Sequence, residues 1–239
     1  MKTLKDLEIK IFSDGADVAH MLRHYREGLV KGFTTNPTLM HQAGLTDYVR
    51  FAHEALAAIT DLPISFEVFS DEFVEMEAHA REIASWGENV YVKIPVTNTR
   101  GEASLDLIRR LSSAGIKLNV TAILALEQVR QVVEALDPDT PSIVSVFAGR
   151  IADTGVDPVP LMTKALALCK LKPHCELLWA STRELLNVFQ AEQIGCPIIT
   201  VTPEILKKAS LIGMDLSALS LDTVRMFERD ARSAGFKIG

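Results

Sequence analysis

The strongest constraint on how this chain can fold is a rhythm. Between residues 9 and 212 a short apolar, β-branched run is followed by a helix-patterned stretch, and the pair recurs eight times. Strands are expected at 9–13, 32–35, 64–68, from 90, then 117–121, 143–147, 176–180 and 197–201. Helices are expected at 17–26, 46–59, 72–86, 102–114, 125–136, 159–170, 183–194 and 203–212, with a loop over 149–155. The runs are apolar throughout, as strands covered on both faces are, and a parallel sheet follows from the helical crossovers. Eight equal units in an α/β chain favour a closed (β/α)8 barrel over an open doubly wound sheet. No GxGxxG follows any expected strand, so the dinucleotide loop of the open sheet is missing. A further helix, capped within residues 217–220, ends near 234–235. A single domain over 1–239 is expected, with 217–239 as a C-terminal helical extension.

Composition removes several function classes. The 239 residues are 48% hydrophobic, enough for a large core, and 25 Lys plus Arg stand against 31 Asp plus Glu for a net charge of −6. With no basic run, nucleic acid and anionic membranes are not expected as partners. Cys169, Cys175 and Cys196 form no CxxC pair, so they read as reduced and structural, and the location as cytoplasmic. Charges interrupt the apolar residues of the first eight positions, and no segment reaches the ~18 apolar residues of a membrane span. Neither export nor insertion is expected.

Against that apolar background one residue stands out. The run Val90-Tyr91-Val92-Lys93-Ile94-Pro95 sets a lysine inside a buried strand. A buried, unpaired ammonium is costly enough that such groups tend to shed the proton, which makes Lys93 a candidate amine nucleophile. The alternative is a strand-end lysine that snorkels to solvent. What favours the first reading is the company Lys93 keeps. In a barrel the functional face lies at the C-terminal ends of the strands. Reading off that end gives Asp14, Thr34 and Asn36, Glu67, Lys93, Asn119 and Thr121, Ser145, and Ser181 just past the seventh strand. Strand side chains alternate with period 2, so Thr34 with Asn36, Asn119 with Thr121, and Ser145 with Phe147 point alike. Polar residues at the same end of seven of the eight strands suit one pocket.

Two arginines accompany them, Arg150 after the sixth strand and Arg183 at the start of the seventh helix, where Ser181 joins it. Late barrel loops commonly hold phosphate with a helix N-terminus and a cation. His20 and His24 are spaced i, i+4 but lack a third ligand nearby; they read as a solvent-facing pair, and no metal is expected. The chemistry open to this set begins with Lys93 attacking a ketone to form a Schiff base, an electron sink for breaking the adjacent carbon–carbon bond. Glu67, acting through a water on Thr121, and Asp14 are candidate proton carriers. Asn36, Asn119 and Ser145 would hold the hydroxyls of a polyol.

The segments Gly32-Phe33-Thr34-Thr35-Asn36-Pro37-Thr38-Leu39, Val92-Lys93-Ile94-Pro95-Val96-Thr97, Asn119-Val120-Thr121 and Phe147-Ala148-Gly149-Arg150-Ile151 resemble the motifs of the transaldolase family, including its short members and the related fructose-6-phosphate aldolases. The resemblance covers almost the whole chain. It implies a cofactor-free class I enzyme that passes a dihydroxyacetone unit from a ketose phosphate, such as fructose 6-phosphate or sedoheptulose 7-phosphate, to an aldose phosphate. By motif position it implies Lys93 as the Schiff-base lysine, Asp14 and Glu67 as the acid/base pair, and Thr121 as the residue placing water. Thr34, Asn36, Asn119, Ser145 and Phe147 would line the donor site, and Arg150, Ser181 and Arg183 match phosphate-binding positions. The aldolases resemble one another in having Gln and Tyr where this chain has Glu67 and Phe147, which favours transfer over release of free dihydroxyacetone. Val146 and Thr182 depart from the family pattern beside the phosphate end. Short members form rings in which the last helix touches a neighbour, so a homo-oligomer acting on small sugar phosphates is expected.

Overall fold

Eight parallel strands pair in sequence order and close on themselves, β8 returning to β1. They are β1 (Lys10–Asp14), β2 (Gly32–Thr34), β3 (Ile64–Glu67), β4 (Val90–Pro95), β5 (Leu118–Ile123), β6 (Ser142–Val146), β7 (Cys175–Trp179) and β8 (Ile198–Val201). The helices are α1 (Val18–Glu27), α2 (Pro37–Gln42), α3 (Tyr48–Ala58), α4 (Phe73–Ser85), α5 (Leu105–Ser113), α6 (Leu126–Ala135), α7 (Ala148–Asp153), α8 (Val159–Cys169), α9 (Leu186–Gln193), α10 (Pro203–Lys207) and α11 (Leu216–Ser233). This computed structural model describes residues 3–238, so the expected domain over 1–239 reaches outside the described residues at Met1, Lys2 and Gly239. The (β/α)8 barrel with an added C-terminal helix is the architecture observed.

Two apolar cores result from the strand period. Residues facing outward, such as Phe33, Ile64, Phe66, Val92, Ile94, Val120, Val144 and Trp179, pack under the amphipathic helices. Facing inward, Phe12, Ile143, Leu178, Ala180 and Ile198 fill the barrel, with Tyr91 and Phe147 against them. Phe12 lies over Gly32, its register partner on the adjacent strand, where an added Cβ would sit 2.5 Å from the ring, so only glycine leaves that space. Above this plug the inward positions turn polar. The apolar middle layer is therefore the floor of whatever the top of the barrel holds.

Several local expectations differ from what is found. A short helix, α2, follows β2 because Asn36 caps it through its side chain, accepting from Leu39 N–H, and Pro37 suits the first turn. The loop expected over 149–155 instead begins as α7. The helix after β7 starts at Leu186, so neither Ser181 nor Arg183 lies at its N-terminus. The last helix is capped by Asp215, which accepts from Ala218 N–H, and not by the serines at 217–220. His24 is not solvent-facing: its Nδ1 lies 2.9 Å from Ser13 Oγ. The three cysteines are buried free thiols. Among the described residues no helix is long and apolar enough to cross a membrane.

Candidate active site

A cavity of about 400 Å³ opens at the C-terminal end of the barrel. Its wall includes Asp14, Thr34, Asn36, Glu67, Lys93, Asn119, Thr121, Ser145, Phe147, Arg150 and Ser181. Of the residues the sequence pointed to, only Arg183 is not on it.

Lys93 is buried, yet it is not unpaired. Its Nζ donates to the Thr35 carbonyl at 2.7 Å and to Glu67 Oε2 at 3.0 Å. The register explains the pair: Glu67 and Lys93 are opposite each other on β3 and β4, both facing inward. The Thr35 carbonyl is available because the chain leaves the sheet there to enter α2. The other carboxyl, Asp14, ends β1. Thr34 Oγ1 donates to its Oδ1 at 2.7 Å, and Asn36 Nδ2 approaches its Oδ2 at 3.4 Å. Burial pushes this carboxyl above the ordinary aspartate range; Lys93 and the Thr34 hydroxyl oppose the shift, while the charge of Glu67 adds to it.

On the opposite wall Asn119 donates to Ser65 Oγ at 3.0 Å and accepts from Ser145 Oγ at 2.6 Å. This pins the amide and presents it with Ser145 as one polar surface. Beside it the β5–β6 register shifts between Val120 and Ile123, and Ala122 takes φ +61°. Such bulges commonly re-aim a side chain beside a functional site. Here the buried Thr121 Oγ1 lines the cavity without a hydrogen-bond partner among the described residues.

The cationic end is asymmetric. The Arg150 guanidinium lies 5.8 Å from the Phe147 ring centre, at the cavity wall. Arg183 turns to Asp153 instead, Nε at 2.9 Å and Nη2 at 2.5 Å, and that carboxyl is held below the usual range by the bond. Ser181 adopts φ +63° on the wall. Its carbonyl presses on Gly149, where a Cβ would sit 1.6 Å away, so glycine is what lets the loops after β6 and β7 meet.

A model of the Transaldolase/Fructose-6-phosphate aldolase family matches residues 11–238. This chain belongs to that family. It is similar to a protein named probable transaldolase from Dehalococcoides mccartyi, with 33% identity over 83% of this chain and 88% of the relative. Another probable transaldolase, from Streptococcus agalactiae, is 36% identical over 81% of this chain and 86% of its own. A third, from a Thermoanaerobacter species, is 32% identical over 96% and 100% respectively.

Two residues of this transaldolase-family site were missed in the sequence. Thr200, on the eighth strand, lines the cavity, and its Oγ1 lies 2.6 Å from Thr34 Oγ1. Its signal was a lone hydroxyl at an inward position of an apolar strand. Tyr48 opens α3, and its hydroxyl accepts from Glu67 N–H at 2.8 Å and donates to the Glu67 carbonyl at 3.1 Å. It thereby replaces the sheet partner that β2 no longer supplies. A helix residue that acts by replacing a strand leaves no trace in strand periodicity.

Proposed function

We propose that this protein is a class I transaldolase that moves a dihydroxyacetone unit from a ketose phosphate to an aldose phosphate through a Schiff base on Lys93. The observation that carries the reading is the buried Lys93 amine, bonded to Glu67, in the same cavity as the half-buried Asp14 carboxyl. Transfer of a proton from Lys93 to Glu67 leaves a neutral amine on the cavity wall. The amine adds to the ketone carbon, and a proton from Glu67, relayed by a water on Thr121, lets the carbinolamine lose water. The resulting iminium accepts the electron pair of the neighbouring carbon–carbon bond as Asp14 takes the proton of the hydroxyl beyond it. An aldose phosphate leaves; the enamine then bonds to the acceptor aldehyde, and hydrolysis of the new iminium restores Lys93.

Asn36, Asn119 and Ser145 suit the hydroxyls of the donor, and Thr34 fixes Asp14. Arg150 and Ser181 suit the anionic end, and Arg183 supports them from outside by bracing the Ser181 carbonyl at 3.2 Å. Transfer is favoured over release because Glu67 is a carboxylate and the Phe147 ring offers no hydroxyl to hold a hydrolytic water. We also assign the C-terminal extension to contacts in a homo-oligomer: α11 buries no residue and exposes Leu216, Val224 and Phe227.

Incubation with fructose 6-phosphate and borohydride tests the reading. A reduced adduct on Lys93 is expected, and its absence sinks it. Erythrose 4-phosphate as acceptor is expected to raise turnover strongly; rapid release of free dihydroxyacetone without acceptor would assign an aldolase instead.

A further inference from the structure

Thr34 has one hydroxyl hydrogen and two hydroxyl-distance neighbours, Asp14 Oδ1 at 2.7 Å and Thr200 Oγ1 at 2.6 Å. An ionised carboxylate only accepts, so Thr34 spends its hydrogen on Asp14. The short Thr34–Thr200 contact then needs a hydrogen from Thr200. Both threonines are buried. Thr200 itself is held in place, because Thr182 Oγ1 donates to its carbonyl at 2.6 Å. The result is a directed chain from Thr200 through Thr34 to Asp14 Oδ1.

We propose that Thr200 is a positioning residue which, by donating through Thr34 to Oδ1, keeps the proton that Asp14 exchanges with substrate on Oδ2. A proton placed on Oδ1 forces both hydroxyls to turn and Thr200 to find a new acceptor. On Oδ2 nothing turns, and the single donor there among the described residues, Asn36 Nδ2, is long at 3.4 Å. Oδ2 is thus the oxygen with a lone pair to spare toward the cavity, and the donor chain is preorganised before substrate arrives. The inference rests on the Schiff-base reading, in which Asp14 removes and returns the proton of the substrate hydroxyl.

The charged and polar groups that face Asp14 are Lys93 from β4, Glu67 from β3, and Thr34 and Asn36 from β2 and the turn after it. Thr200 adds no charge; it acts by polarising Thr34. Bonds in such a chain strengthen one another by a fraction of their own energy, so losing Thr200's donation weakens the hold on the charged form. With Asp14 working as a base, the acid limb of kcat/KM then moves to higher pH.

The test compares Thr200→Val, which keeps the shape and removes the donor, with Thr200→Ser, which keeps the donor and removes a methyl. Donor sugar is varied at saturating acceptor across pH. For Thr200→Val the acid limb is expected to rise by about 0.3–0.5 pH unit, with kcat down about three- to tenfold. For Thr200→Ser the limb is expected to match the parent. Thr200→Ala repeats the donor loss should the valine variant fold poorly. An unshifted limb in the donor-less variants, or an equal shift in Thr200→Ser, overturns the proposal. Borohydride trapping on Lys93 in the parent protein, run alongside, separates that result from failure of the Schiff-base reading, which would appear as no adduct.

Discussion

Two lysine–glutamate pairs lie inside the same barrel, one at each mouth. At the N-terminal mouth Lys10 reaches Glu176 at 2.6 Å with side chains 40% and 38% exposed; at the other, Lys93 reaches Glu67 at 3.0 Å with side chains 8% and 16% exposed. The shorter bond belongs to the more exposed pair. What separates them is surroundings. Water can replace either partner of Lys10 and Glu176, and an apolar plug of Phe12, Ile143, Leu178 and Ile198 lies between them and the cavity. Lys93 and Glu67 share their cavity with a third ionisable group, Asp14, and with hydroxyls and amides already bonded to one another. On the proposed mechanism, bond length is a poor guide to function, whereas burial with a shared proton inventory is a good one.

The largest expected effect comes from breaking the comparison at its lysines. Lys93→Met is expected to lower turnover more than about 10⁴-fold while leaving the circular dichroism spectrum unchanged, since among the described residues no other amine lines the cavity to form a Schiff base. Lys10→Met is expected to keep activity within about twofold. Comparable losses in both would show that the ion pairs serve the barrel and not the chemistry. At the acids the effect is smaller. Glu67→Gln preserves shape and a hydrogen bond to Lys93 but cannot carry a proton, so turnover is expected to fall about 10²-fold or more. Glu176→Gln is expected to leave kcat unchanged, and steady-state assays of the two variants check the contrast.

The same comparison explains what was legible in the sequence. Eight apolar runs with helical crossovers specify the barrel, and strand parity together with position at the C-terminal ends pointed to Thr34, Asn119, Thr121 and Ser145 in one cavity, with Asn36 and Phe147 just past the ends of β2 and β6. Lys10 and Glu176 show the same inward parity, so parity alone gives the face of a side chain and not its depth. Arg183 was assigned to the phosphate end from its nearness to Ser181, but its partner, Asp153, comes from α7, where a loop was expected. Tyr48 and Thr200 act through hydroxyl bonds across elements distant in sequence, and hydrophobic patterning carries no record of such pairings. The Ala122 bulge was hidden for a similar reason: its φ of +61° is imposed by the register shift, and nothing about alanine announces it.

A substitution at Asp14 sharpens the contrast through stability. Because the folded-state pKa of Asp14 is raised from 3.8, the native state holds that proton more tightly than the unfolded chain does. Between the two values the native state binds more protons, so stability falls as pH rises through the window, and above it the cost of the buried charge is fully present. Asp14→Asn is therefore expected to lose activity and yet gain stability at neutral pH, seen as a higher Tm. The gain is expected to vanish as pH drops through that window. Calorimetry at neutral and acid pH checks the sign, and a destabilised variant at neutral pH would mean that Asp14's bonds to Thr34 and Asn36 outweigh its desolvation.

The smallest effect belongs to the exposed pair, and its salt dependence is the informative part. Lys10→Met keeps most of the methylene packing and removes the charge, so the expected loss is about 0.5 kcal/mol at low salt. Glu176 stays partly solvated and pays little for losing its partner. Screening at 1 M salt shortens the reach of charge interactions to about 3 Å, which weakens the pair in the parent protein and leaves the variant nearly unaffected. The gap between the two denaturation midpoints is therefore expected to close as salt rises. In the buried pair, ions cannot enter between Lys93 and Glu67, so the turnover lost in Glu67→Gln is expected to be the same at low and high salt. A salt-independent loss for Lys10→Met, or a salt-sensitive one for Glu67→Gln, would mean that the two mouths of the barrel are electrostatically alike and that the contrast in burial has no energetic consequence.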